Sequence, residues 1–108
     1  MAAIPTFATI AASGTTSTAV DCAGLVVGIQ CPAALTGTTI TFTAAALAGS
    51  QTTYGALYNG NTLVSYTVAA DRYISLDPSI FAGVRSFKIV SGSTEAASRT
   101  FCVVMRAE

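Results

Sequence analysis

Apolar and polar residues alternate with a period of two along this chain, in short runs that Gly, Pro, Asn, Asp or Ser soon interrupt. No stretch sustains a 3.6-residue period over two turns with caps, so the pattern excludes a helical fold and predicts an all-β one. Strands are expected at 18–22, 25–31, 38–43, 53–58, 62–68, 73–76, 84–91 and 99–106, segments rich in Thr, Val, Ile, Tyr and Phe. Between 58 and 62, "YNGNT" sets Asn-Gly between two alternating runs, which predicts an antiparallel hairpin of 53–58 with 62–68. In the second of these runs Val64, Tyr66 and Val68 share one face. In 99–106 both faces are apolar, as in a central or doubly covered strand.

Seven or eight short strands within 108 residues predict one antiparallel β-sandwich, jelly-roll-like or Ig-like, spanning 17–108. Residues 1–16 read as an extended N-terminal arm with Phe7 as its anchor, lying on a neighbouring subunit by strand addition. The segment 44–51 reads as a linker, and the loop "SGSTEAAS" (91–98) as mobile. On the strand 84–91, Phe87 and Ile89 should anchor the core on the face opposite Lys88.

Charge is scarce. Ten of 108 residues are charged, five of each sign, while 20 Ala, 16 Thr and 10 Ser supply much of the remainder. A neutral chain has no long-range field to gather nucleic acid or an anionic membrane, so neither is an expected partner. The longest apolar runs, 23–29 and 44–49, are far shorter than the roughly 20 residues of a membrane-spanning helix. The N-terminus lacks the basic start of a secretory signal, so Cys22, Cys31 and Cys102 are expected to stay thiols and to pack as small apolar residues.

The chain contains no His, which removes the commonest general base and metal ligand. Lys88, the only lysine, lies mid-strand with nothing to suggest a lowered pKa. Asp71 and Asp77 could pair as carboxylates or bind calcium, but "DPSIF" (77–81) fits a capped turn better and Asp71 beside Arg72 fits a turn with a local charge partner. No enzymatic role and no cofactor or metal are therefore expected. Tyr54, Tyr58, Tyr66 and Tyr73 raise a sugar-stacking reading, against which stands their ordinary use at sheet surfaces.

Half of the charged residues fall within 71–92. Elsewhere the strand edges lack the Lys and Pro that keep free monomers apart, so the chain reads as an assembly subunit. Arg72, Arg85 and Lys88, with Phe7, are the expected partner contacts, the charged ones orienting a partner through charge-assisted bonds.

"GLVVGIQCPAALTGTTITFTAA" (24–45), "YTVAADRYISLDPSIFAGVRSFKIVSGS" (66–93) and "RTFCVVMR" (99–106) resemble a group of small virion-associated proteins of tailed bacteriophages. The resemblance covers most of 18–106 and rests on structural punctuation: an Ile-Gln-x-Pro-Ala-Ala run, a Tyr-x-x-Leu-Asp-Pro turn and a terminal apolar strand. It implies a capsid decoration or cement protein on the virion surface, made in the host cytoplasm. Its partners would be the major capsid protein and copies of itself, a trimer being expected from the threefold positions of capsid lattices. A second function in view is recognition of host-surface glycans by a tail- or head-fibre module through Tyr54, Tyr58 and Tyr66.

Overall fold

The chain returns along its own path. The computed structural model describes residues 3–46 and 53–106. These form β1 (Ala3–Ile10), β2 (Val20–Asp21), β3 (Leu25–Gln30), β4 (Thr39–Ala45), β5 (Gly55–Ala56), β6 (Tyr58–Asn59), β7 (Thr62–Leu63), β8 (Ser65–Thr67), β9 (Tyr73–Ser75), a 3-10 turn (Pro78–Phe81), β10 (Ser86–Ser91) and β11 (Arg99–Arg106). The pairs β1 with β11, β2 with β10, β3 with β9 and β4 with β8 are all antiparallel. They make one long ribbon that runs out over β1–β4 and back over β8–β11, with β5–β7 near its tip.

Rolling the ribbon adds two further antiparallel contacts, β11 with β3 and β10 with β4. The result is two sheets, β1-β11-β3-β9 and β2-β10-β4, with β5 and β8 sharing the far edge of β4. Four strands in the order 1-11-3-9 over four in the order 2-10-4-8 is jelly-roll connectivity, which resolves the two sandwich types expected from sequence.

Alternation along each strand sends one set of side chains between the sheets. Ala8, Ile10, Val26, Ile29, Phe101, Val103 and Met105 come from the first sheet, and Val20, Ile40, Phe42, Phe87 and Ile89 from the second, all fully buried. The expected face of β10 is therefore correct. Phe81 enters from the 3-10 turn and meets Phe42 and Phe87 edge-on, with ring centroids 5.2 and 5.5 Å away. Edge-to-face pairs of this kind add about 0.5–1.5 kcal/mol each beyond area burial. The turn that delivers Phe81 starts as the sequence predicts: Pro78 opens it and Asp77 caps it, accepting from the Ser79 N–H at 3.0 Å.

Three expectations need correction. Residues 3–10 are extended, but they are β1, paired over their whole length with this chain's own β11. With Ala8 and Ile10 in the core, the segment is a sandwich strand and not an arm laid on a neighbour. The edge of β1 is also guarded. The Thr18 N–H donates to the Thr9 carbonyl, so Thr9, Phe7 and Pro5 direct their backbone groups away from β11, where the missing N–H of Pro5 blunts the edge. The hairpin at "YNGNT" is short, pairing Tyr58 with Leu63 and Asn59 with Thr62 and adding a bond from the Val64 N–H to the Leu57 carbonyl, around a Gly60-Asn61 turn with Gly60 at φ +65°. Positive φ at the first central residue is what a type II′ turn requires. The flanks β5 and β8 each pair with β4 instead of with one another. Of the expected linker 44–51, Ala44 and Ala45 belong to β4, and residues beyond 46 lie outside the described residues.

Candidate interaction surfaces

One end of the sandwich is closed by four loops: 11–19, 31–38, 68–72 and 92–98. Three of them, 11–19, 31–38 and 92–98, are fastened together by Glu95, which is fully buried. Its Oε1 accepts from the Thr36 N–H at 2.8 Å and Arg99 Nε at 3.0 Å, and its Oε2 from the Gly37 N–H at 2.9 Å and Ser91 Oγ at 2.7 Å. Its backbone completes the knot, since the Glu95 N–H donates to Gly14 and its carbonyl accepts from Ser13. Burial alone would raise the carboxyl pKa, but the donors from Thr36, Ser91, Gly37 and Arg99 outweigh it and hold the group at about 2. The loop expected to be mobile is thus pinned. Sequence reasoning missed Glu95; the available signal was a lone acid four residues before Arg99 in an otherwise uncharged loop.

A carboxylate whose lone pairs are taken by four donors is poorly placed to accept a proton from a substrate, so its role is structural. The thiols are also muted. Burial, then the charge of Asp21, pushes Cys22 up to about 11 against the opposing pull of Arg85, and burial raises Cys31. Only Cys31 is fully buried; Cys22 and Cys102 are half-buried, so the expectation of three core thiols holds for one. Asp71 and Asp77 lie beyond opposite ends of β9, about 20 Å apart along an extended chain, too far to share a cation. Asp71 occupies a turn at φ 63°, and Glu95 with Arg99, not Asp71 with Arg72, is the ion pair formed among the described residues.

The four expected partner contacts do not converge. Phe7 projects from the outer face of β1, while Arg72 precedes β9 on the opposite edge of the same sheet. Arg85 immediately precedes β10 and Lys88 lies on it in the second sheet, with Lys88 Nζ seated 4.5 Å above the Tyr54 ring. The charged stretch 71–92 runs from one end of the sandwich to the other, so charges adjacent in sequence are separated by the length of β9. The tyrosines are dispersed too. Tyr54 bonds Ser86 beside Lys88. Tyr66 lines a cleft of about 300 Å³ with Asn59, Thr62, Ser65 and Ile80, and Tyr58 borders a separate hollow of about 390 Å³ with Ala44 and Val84. Tyr54 thus packs under Lys88 while Tyr58 and Tyr66 line different hollows.

What the structure does bring together is a row across the first sheet. Phe7 is opposite Cys102, Cys102 opposite Gln30, and Gln30 opposite Tyr73, so these four side chains cross all four strands on the outer face. Phe7 is 63% and Tyr73 50% exposed. The Tyr73 ring lies across Gly28, where any Cβ would collide with its hydroxyl. No family model matches the chain, and no match is found to a curated protein or to a solved structure.

Proposed function

We propose that this chain is a bacteriophage virion structural protein, a capsid decoration or cement protein that binds the major capsid protein and braces its lattice. The observation that carries the reading is the outer face of the β1-β11-β3-β9 sheet, a surface of low charge, with Arg106 at the end of β11, that leaves Phe7 and Tyr73 in water. Large exposed aromatics on a sheet face of low charge mark a surface suited to being covered by protein. The chain's resemblance to small virion proteins agrees with this, and so does a jelly-roll connectivity also used by viral capsid domains, the latter as an analogy of fold.

The dispersal of Tyr54, Tyr58 and Tyr66 weighs against glycan recognition by the three together. The test is co-sedimentation of purified protein with capsids lacking it. Saturable binding at a fixed ratio to the major capsid protein, little changed between low salt and about 1 M, is expected, because surface ion pairs are worth only about 0–1 kcal/mol each. Failure to bind, or release by salt, counts against the reading.

A further inference from the structure

We infer that Asn59 is a site of spontaneous covalent modification: its side-chain amide closes onto the Gly60 nitrogen and is lost as ammonia, turning a neutral chain into an anionic one. The inference concerns the isolated chain and does not rest on the proposed function.

The chain has two asparagines, Asn59 and Asn61, both in the β6-β7 hairpin, so one turn holds the site and its internal control. They differ first in the nitrogen that follows each. The bond from the Val64 N–H to the Leu57 carbonyl sets the alternation of the ladder, which makes Asn59 and Thr62 a pair that exchanges both backbone bonds. The Thr62 N–H, the group that would attack Asn61, is therefore committed to the Asn59 carbonyl. The Gly60 N–H stands outside the ladder at the first central position of the turn, free to react.

They differ next in crowding. Gly60 has no side chain, and even a Cβ there would meet nothing within 4 Å, whereas the β-branched Thr62 shields its own nitrogen. The hairpin is also free to open. β6 and β7 form a two-stranded sheet of their own, and every residue from 58 to 63 is exposed. A lone two-stranded hairpin is marginal in water, so its tip opens and lets Asn59 leave the strand conformation and bring Cγ to the Gly60 nitrogen.

The step balances without an oxidant or a reductant. The Gly60 nitrogen gives up its proton and bonds to Asn59 Cγ, the Cγ–Nδ2 bond breaks, and Nδ2 takes a proton from solvent and leaves as ammonia. Water then opens the cyclic imide at either carbonyl. One opening leaves an ordinary aspartyl linkage. The other routes the main chain through Cβ, one atom longer than a two-residue turn accommodates. Either adds a negative charge to a chain of zero formal net charge, in the cleft that Asn59 shares with Thr62, Ser65 and Tyr66.

Incubation of the full chain at about pH 8 and about 37 °C, followed by peptide mass spectrometry, tests the site. Asn59 should gain about 1 Da, with both linkages present, at least about tenfold faster than Asn61 and faster at about pH 8 than at about pH 6, because the attacking nitrogen must lose its proton. Ion exchange should resolve a new acidic species that Asn61→Ser still forms and Asn59→Ser does not. An Asn59 that stays intact in the folded chain while it reacts in denaturant would show that the hairpin holds the turn shut and would overturn the inference. Equal rates at Asn59 and Asn61, or no reaction at either, would overturn it too.

Discussion

Glu95 shows how much one residue can hold in a chain with few charges. Replacing it with Gln keeps the shape but turns a donor amide toward the donors from Gly37 and Ser91 or Thr36 and Arg99, and leaves Arg99 without its ion partner. Chemical denaturation should show Glu95→Gln less stable by about 3 kcal/mol at pH 7. The pH dependence follows from the sign of the shift. A carboxyl at about 2 in the fold and 4.5 in the reference state contributes stability fully above about pH 4.5, and that contribution disappears as pH falls toward 2. The wild type should lose about 3 kcal/mol over that window through this group, and Glu95→Gln should lose that part of the slope. A wild-type stability flat between pH 5 and 2 would refute the assignment. Gly37 belongs to the same knot, since a Cβ there would strike Ser91 Oγ. Gly37→Ala should therefore lower the melting temperature, whereas Gly55→Ala, which faces open space, should not.

At the level of elements, period-two alternation carried most of the information. The β10 strand was legible because Phe87 and Ile89 alternate with Lys88, and Phe87→Ala should cost about 3–5 kcal/mol, measured by denaturant titration. An unchanged midpoint would mean the buried face is wrong. β11 was legible as a central strand from its two apolar faces. β1 was not, because "AIPTFATI" carries a Pro, which argues against a strand unless the missing N–H faces a free edge, and sequence does not say where edges are. Likewise the runs 53–58 and 62–68 read as strands, but the partner of β5 and β8 within them is β4, a choice made by the roll of the ribbon and invisible to local pattern. Since β1 covers Phe101 and contributes Ile10, deletion of residues 2–10 should abolish cooperative unfolding in calorimetry. A truncated protein that still melts cooperatively near the wild-type temperature would restore the detachable arm.

For the whole molecule, jelly-roll closure joins the first described strand to the last, so the sandwich is complete only when the returning half of the ribbon has paired. The candidate surface was half legible for the same reason. Phe7 was expected to anchor a detached arm and instead projects from β1, and its companions Cys102, Gln30 and Tyr73 are 23 to 95 residues away in sequence and meet it only through register. Arg72 was expected together with Arg85 and Lys88 and is held apart from them by β9 and by the division between sheets. What remains is a neutral, hydroxyl-rich sandwich with one aromatic outer face, and the central claim is that such a surface belongs on a capsid. Electron cryomicroscopy of intact particles tests it most directly. The account predicts density of this sandwich's size on the capsid shell, repeated with the lattice, with one sheet's outer face covered by protein. Density confined to a few copies on the tail, or particles without the protein, would contradict it.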